Sequence, residues 1–217
     1  MSIGRHQTAS GRPLRIAPAW VGGARSADDG HILPVREAVW IWSVRRYARV
    51  ALWALPLAAV LYGWSTFHAN PLLIELAAGW LSMIAMIAVA ALLAGSRTRR
   101  CAVAGLVIGL AGSSLLLPLV ALPAGVAPAG SPLPAGQVHA ATLAAAAIAG
   151  AGWLLLGWAV FRSRLVNPAD GILLMLAAAL IGAGGYPIKP LPTVGALLLL
   201  AAGMGLAWTG GRLIPRN

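Results

Sequence analysis

A single cysteine, Cys101, stands in the 217 residues of this chain. That excludes an intrachain disulfide, a cysteine-rich metal site and any mechanism that needs two thiols. Acids are scarce too: Asp28, Asp29, Glu37, Glu75 and Asp170 face 16 Lys and Arg residues. They offer no pair at the spacing of a two-carboxylate catalyst. Lysine occurs once, as Lys189, so no glycine-rich phosphate loop carries its lysine. The Gly-x-Ser-Gly pattern of intramembrane serine hydrolases is absent, because Leu115 follows Ser114. No catalytic residue, cofactor site or metal site is therefore read, and no enzyme is expected. His68, Glu75 and His139 are suitable ligand types, but no local spacing joins them.

Apolar residues fill the space that these absences leave. They make up 59% of the chain, against 10% charged residues. In a soluble domain the net charge of +11 would suggest nucleic acid. Here the arginines fall between long apolar runs, so the lipid bilayer is the expected partner and nucleic acid is not. The runs span residues 50–67, 72–94, 102–122, 140–161, 169–186 and 193–208, each near the roughly 20 residues that cross a hydrocarbon core.

The arginines occupy alternate gaps. Arg45, Arg46 and Arg49 precede the first run, and Arg97, Arg99 and Arg100 follow the second. Arg162 and Arg164 follow the fourth; Arg212 and Arg216 follow the sixth. The other gaps hold only Lys189. Arginine-bearing loops resist translocation, so the pattern predicts an all-α integral membrane protein of six transmembrane helices in three hairpins, with both termini cytoplasmic. The Arg-, Ala- and Gly-rich usage suggests a high-GC bacterial genome and hence a bacterial cytoplasmic membrane.

Residues 1–33 read as a disordered cytoplasmic tail, since they cannot bury enough apolar surface to offset ordering. Residues 34–49 mix Trp, Tyr, Val and Arg and suggest an interfacial helix. The transmembrane bundle is expected over 50–210 and a short cytoplasmic tail over 211–217. The uncharged segment 123–139 is rich in Pro and Gly and belongs outside lipid. Pro56 removes a helical hydrogen bond and predicts a kink in the first span. Asn70 can cap the second helix, with Pro71 in its first turn. Asn167, Pro168 and Asp170 mark another helix start, with Asp170 an anion at the positive helix end beside Arg164.

Two features carry functional readings. Glu75 lies one turn into the second span and is the lone acid of the arginine-free half. It can clasp Lys189, snorkel to water, or bind a proton or cation. Gly105, Gly109 and Gly112 form a small-residue stripe suited to close helix packing, either within the chain or with another copy or another membrane protein. Polar groups in the spans are few: Ser65, Ser82, Ser113, Ser114, Thr142 and Glu75 are nearly all of them. That scarcity points first to a non-catalytic accessory or scaffolding subunit acting through helix association. The alternative is a small transporter, or the membrane-spanning subunit of an ATP-driven permease, for an apolar substrate.

Overall fold

The structure, a computed structural model, describes residues 47–67, 71–121, 135–182 and 190–213. All regular structure among them is helical. Helix α1 covers Ala54–Ser65, α2 Leu72–Leu93, α3 Arg99–Ala121, α4 Ala135–Ser163, α5 Pro168–Ile181 and α6 Pro190–Leu213. Five stretches are long and apolar enough to cross a membrane: Tyr47–Ser65, Leu72–Leu93, Arg99–Ala121, Gly136–Ser163 and Leu191–Arg212. The remaining helix, Pro168–Ile181, is apolar but shorter. At about 1.5 Å per residue it rises roughly 21 Å, short of a hydrocarbon core of about 30 Å. The expected fifth span continued to residue 186, and residues 183–189 lie outside the described residues. So do the expected tail at 1–33, the interfacial segment up to residue 46, His68, Asn70, most of the 123–139 segment, Lys189 and residues 214–217.

Local chemistry sets several helix boundaries. Pro56 cannot donate a backbone hydrogen bond, and its ring crowds the carbonyl four residues back, at Leu52. The chain answers with a turn at residues 52–53, where Leu55 N donates to Leu52 O at 3.2 Å. The expected disturbance thus lies one turn before the proline. Pro71 stands at the N-cap of α2 rather than in its first turn, with no side-chain cap bond. The start of α5 follows the sequence reading: Asn167 Oδ1 accepts from Ala169 N at 3.1 Å, with Pro168 opening the helix.

Each helix packs against its chain neighbours, and α6 closes the ring on α1. Glycine positions reveal the direction of most contacts. A Cβ on Gly203 would meet Pro56 N at 2.9 Å, and one on Gly63 would meet Ala196 Cβ at 3.5 Å, so α1 and α6 run antiparallel. Gly109 faces Met86 of α2, while Gly79 faces Leu117 of α3. Gly171 lies against Phe161 and Gly157, and Gly182 against Ala146 and Gly150, so α5 climbs α4 in the opposite sense. The result is an up-and-down ring of six helices. It brings the α2–α3 turn, the α4–α5 turn, the start of α1 and the end of α6 to one end. All the described arginines sit there.

That end is densely packed. Leu52, Met86, Leu93, Leu156, Leu174, Leu206, Val89 and Val160 have essentially no exposed surface. Polar ties reinforce it. Thr98 Oγ1 donates to Ala159 O at 3.2 Å, joining the α2–α3 turn to α4. Cys101 Sγ donates to Leu155 O at 3.6 Å. Arg212 lies 4.9 Å over the Trp208 ring, a cation–π contact. Large apolar side chains such as Leu73, Trp80, Val107 and Leu197 point outward, a surface compatible with a bilayer.

Candidate functional site: a cavity ringed by six helices

Toward the arginine-free end the helices part around a cavity of about 370 Å³. Every helix contributes wall: Ala58 and Tyr62 from α1, Glu75, Ala78, Gly79 and Ser82 from α2, Ser113, Leu116 and Leu117 from α3. Ala146, Ala149, Gly150 and Trp153 come from α4, Leu174, Ala178 and Ile181 from α5, and Pro192 and Leu199 from α6. Trp153 and Leu174 also belong to the packed core, so they form the floor. The volume falls within the roughly 300–1,000 Å³ of small-molecule pockets.

The spacing of the wall residues explains the shape. Glu75, Ala78, Gly79 and Ser82 repeat at i, i+3, i+4 and i+7, one face of a helix. Ala146, Ala149, Gly150 and Trp153 repeat the same interval on α4. Most of these side chains are too small to reach the ring axis. The polar groups are few and fixed. Trp153 Nε1 donates to Ser82 Oγ at 3.1 Å, which orients the indole and ties α4 to α2. Ser113 is 7% exposed, and it lines the cavity. Among the described lining residues Glu75 carries the one formal charge, and none is basic.

The other candidates fall elsewhere. Gly105, Gly109 and Gly112 are buried between α3 and α4. A Cβ on Gly105 would meet Gly152 O at 3.0 Å, one on Gly109 would meet Gly152 Cα at 3.4 Å, and one on Gly112 would strike the backbone of Ala149. Their close approach is spent inside this chain, which removes them as a free surface for a partner. The Glu75–Lys189 clasp and the His68 ligand both fall outside the described residues. Among the described residues no group of three metal-ligating side chains gathers.

Asp170 departs most from expectation. It is 6% exposed and turns away from the interface toward α6. A Cβ on Gly205 would meet Asp170 Cγ at 2.6 Å, so only glycine leaves room for the carboxyl. Its Oδ2 is buried with no hydrogen-bond partner among the described residues. Arg164, expected beside it, is exposed and adopts φ 53°, the left-handed conformation that ends α4. The sequence reading missed Tyr62, Trp153 and the joint role of Ser82 and Ser113. The i, i+3, i+4, i+7 stripe through Glu75 and Ser82 was the signal that could have found Ser82.

No protein-family model, curated protein or solved structure matches this chain.

Proposed function

We propose that this chain is a six-pass membrane carrier for a small, mainly apolar molecule, which it binds in the cavity between its helices. The observation that carries the reading is convergence. Glu75, Ser82 and Ser113, half of the short polar inventory of the apolar runs, line one cavity bounded by all six helices. A hydrophilic substrate would need more polar groups; an apolar body with one polar end would not. The closed packing below Trp153 and the opening above it resemble one of the two states that alternating access requires.

The six-pass topology belongs to the same proposal. Helices α4 and α6 both end in arginine-bearing segments at the same end, so the chain must return between them. α5 makes most of that return. Arginine retention then puts the arginine-bearing end in the cytoplasm and the cavity mouth on the opposite side. In a Cys101→Ala background, a cysteine at exposed Gly136 should react with a membrane-impermeant thiol reagent on intact cells, and one at exposed Gly95 should not. The reverse pattern would invert the topology.

An accessory subunit acting through helix association is the alternative; Gly105, Gly109 and Gly112, buried between α3 and α4, would not be its contact surface. The deciding experiment is thermal unfolding of the purified protein with a panel of small aromatic and aliphatic compounds. A ligand at about 100 times its Kd adds roughly 2.7 kcal/mol and raises Tm. Ala146→Phe, which fills the cavity, should abolish that rise, and proteoliposomes should accumulate the same compound. No ligand response, together with a higher Tm for Ala146→Phe alone, would make the cavity a packing defect and end the proposal.

A further inference from the structure

We infer that the cavity selects an organic cation, an apolar body bearing one ammonium-type charge, with Glu75 as its counter-ion. This rests on the carrier reading above and specifies its ligand. The wall holds one carboxyl and no basic side chain among the described residues. The rest of the wall is apolar or hydroxyl-bearing, and around it lies lipid. An anionic ligand would meet Glu75 with like charge in a medium that screens poorly. A neutral ligand would leave the carboxylate uncompensated there. A cation satisfies it, and a cation with an apolar body also fills the alanine- and glycine-lined volume.

The aromatic wall points the same way. Trp153 forms part of the floor, and its indole is held by the 3.1 Å bond to Ser82. Tyr62 stands with Glu75 on the wall. Aromatic rings beside a carboxylate are the chemistry that recognises quaternary and alkylated ammonium groups. Inorganic cations would require a shell of several oxygen ligands. The described wall supplies one carboxyl and scattered hydroxyls, so a weakly hydrated organic cation fits better than a metal ion.

The test uses the full chain in lipid nanodiscs, with tritiated benzyltrimethylammonium as the probe and neopentylbenzene as its neutral isostere. The wild type should bind the cation saturably, and the isostere should compete at least tenfold less well. Glu75→Gln should weaken cation binding at least tenfold without lowering Tm, and the neutral compound should bind as well or better, so that the preference for the cation is lost. Glu75→Asp, which keeps the charge, should retain the preference for the cation. If the isostere binds as well as the cation and Glu75→Gln changes neither, the charge selection is wrong and the carrier reading survives. If neither compound binds, and the thermal panel is silent as well, both fall together.

Discussion

The two halves of this bundle are built from the same six helices and the same few residue types, yet one is solid and the other hollow. At the arginine-bearing end the inward positions are Leu52, Met86, Leu93, Leu156, Leu206 and Val160, which meet across the ring. At the other end they are Ala58, Ala78, Gly79, Ala146, Ala149 and Gly150, which stop short of it. Glycines draw neighbouring helices together in both halves, so wall-to-wall distance is not the cause. Side-chain reach is. A ring of six helices has an axis that leucine and methionine can fill and alanine cannot. The acids follow the same division. Glu75 stands on the wall of the hollow half, where a ligand can answer its charge. Asp170 is sealed into the solid half against Gly205, where no described group does.

The largest contrast should appear on truncating leucines in the two halves. Leu206→Ala removes a side chain with 0% exposure from the packed end. It should destabilise the protein by about 2–5 kcal/mol, the range for a fully buried leucine. Leu116→Ala trims the cavity wall, where contacts on one side are already missing, and should cost less than about 1 kcal/mol by the same reasoning. Reversible unfolding of both variants in mixed detergent micelles would measure the difference. Equal costs would mean that the cavity closes in lipid and that the two halves are packed alike.

The helices were legible beforehand and the division between the halves was not, for physical reasons. Helices long and apolar enough to cross a membrane announce themselves, because length and apolarity are local properties of the chain. Cap chemistry is local too, which is why Asn167 and Pro168 marked the start of α5. Inward and outward faces are harder. Lipid is as apolar as a core, so Leu197 facing outward and Leu199 facing the cavity look alike in sequence. Only the rare polar residues betray the inner face, and the stripe from Glu75 to Ser82, which the sequence reading passed over, is such a case. Trp153 could not be recognised as Ser82's partner, because that contact joins positions 71 residues apart. The burial of Asp170 depends on Gly205 in another helix, which no cap pattern encodes.

Asp170 sharpens the comparison at intermediate cost. Its Oδ2 is buried without a partner among the described residues, and an unsatisfied buried polar group costs about 1–3 kcal/mol. Asp170→Ala removes that group, opens a void of only a few atoms beside Gly205, and should leave the protein more stable by about 1 kcal/mol after the void is counted. The Asn167 cap is untouched, so α5 should still begin at Pro168. Unfolding midpoints of the variant and the wild type would check the sign. A clear loss of stability would show that the carboxyl makes an attractive contact in the membrane, and the solid half would then hold a second polar site.

An effect of comparable size concerns the turn that ends α4 at the packed end. Arg164 has φ 53°, and for a residue with a Cβ this conformation costs roughly 1–2 kcal/mol. The turn tolerates it because Ser163 bridges the break: its Oγ donates to Val160 O at 2.8 Å and accepts from Leu165 N at 3.3 Å. Arg164→Gly relieves the strain. It also frees the unfolded chain, at about 0.5–1 kcal/mol, and removes a cation from the helix C-terminus worth roughly 0.3–1 kcal/mol. These terms nearly cancel, so the glycine variant should match the wild type to within about 1 kcal/mol. Arg164→Val loses the same charge but adds a β-branched side chain at positive φ, where such residues are outliers. It should fall below the glycine variant by about 1–2 kcal/mol. Comparing valine with glycine cancels the charge effect and isolates the backbone. If the two variants unfold together, the left-handed turn is not what joins α4 to α5, and the packed end owes its solidity to its leucines alone.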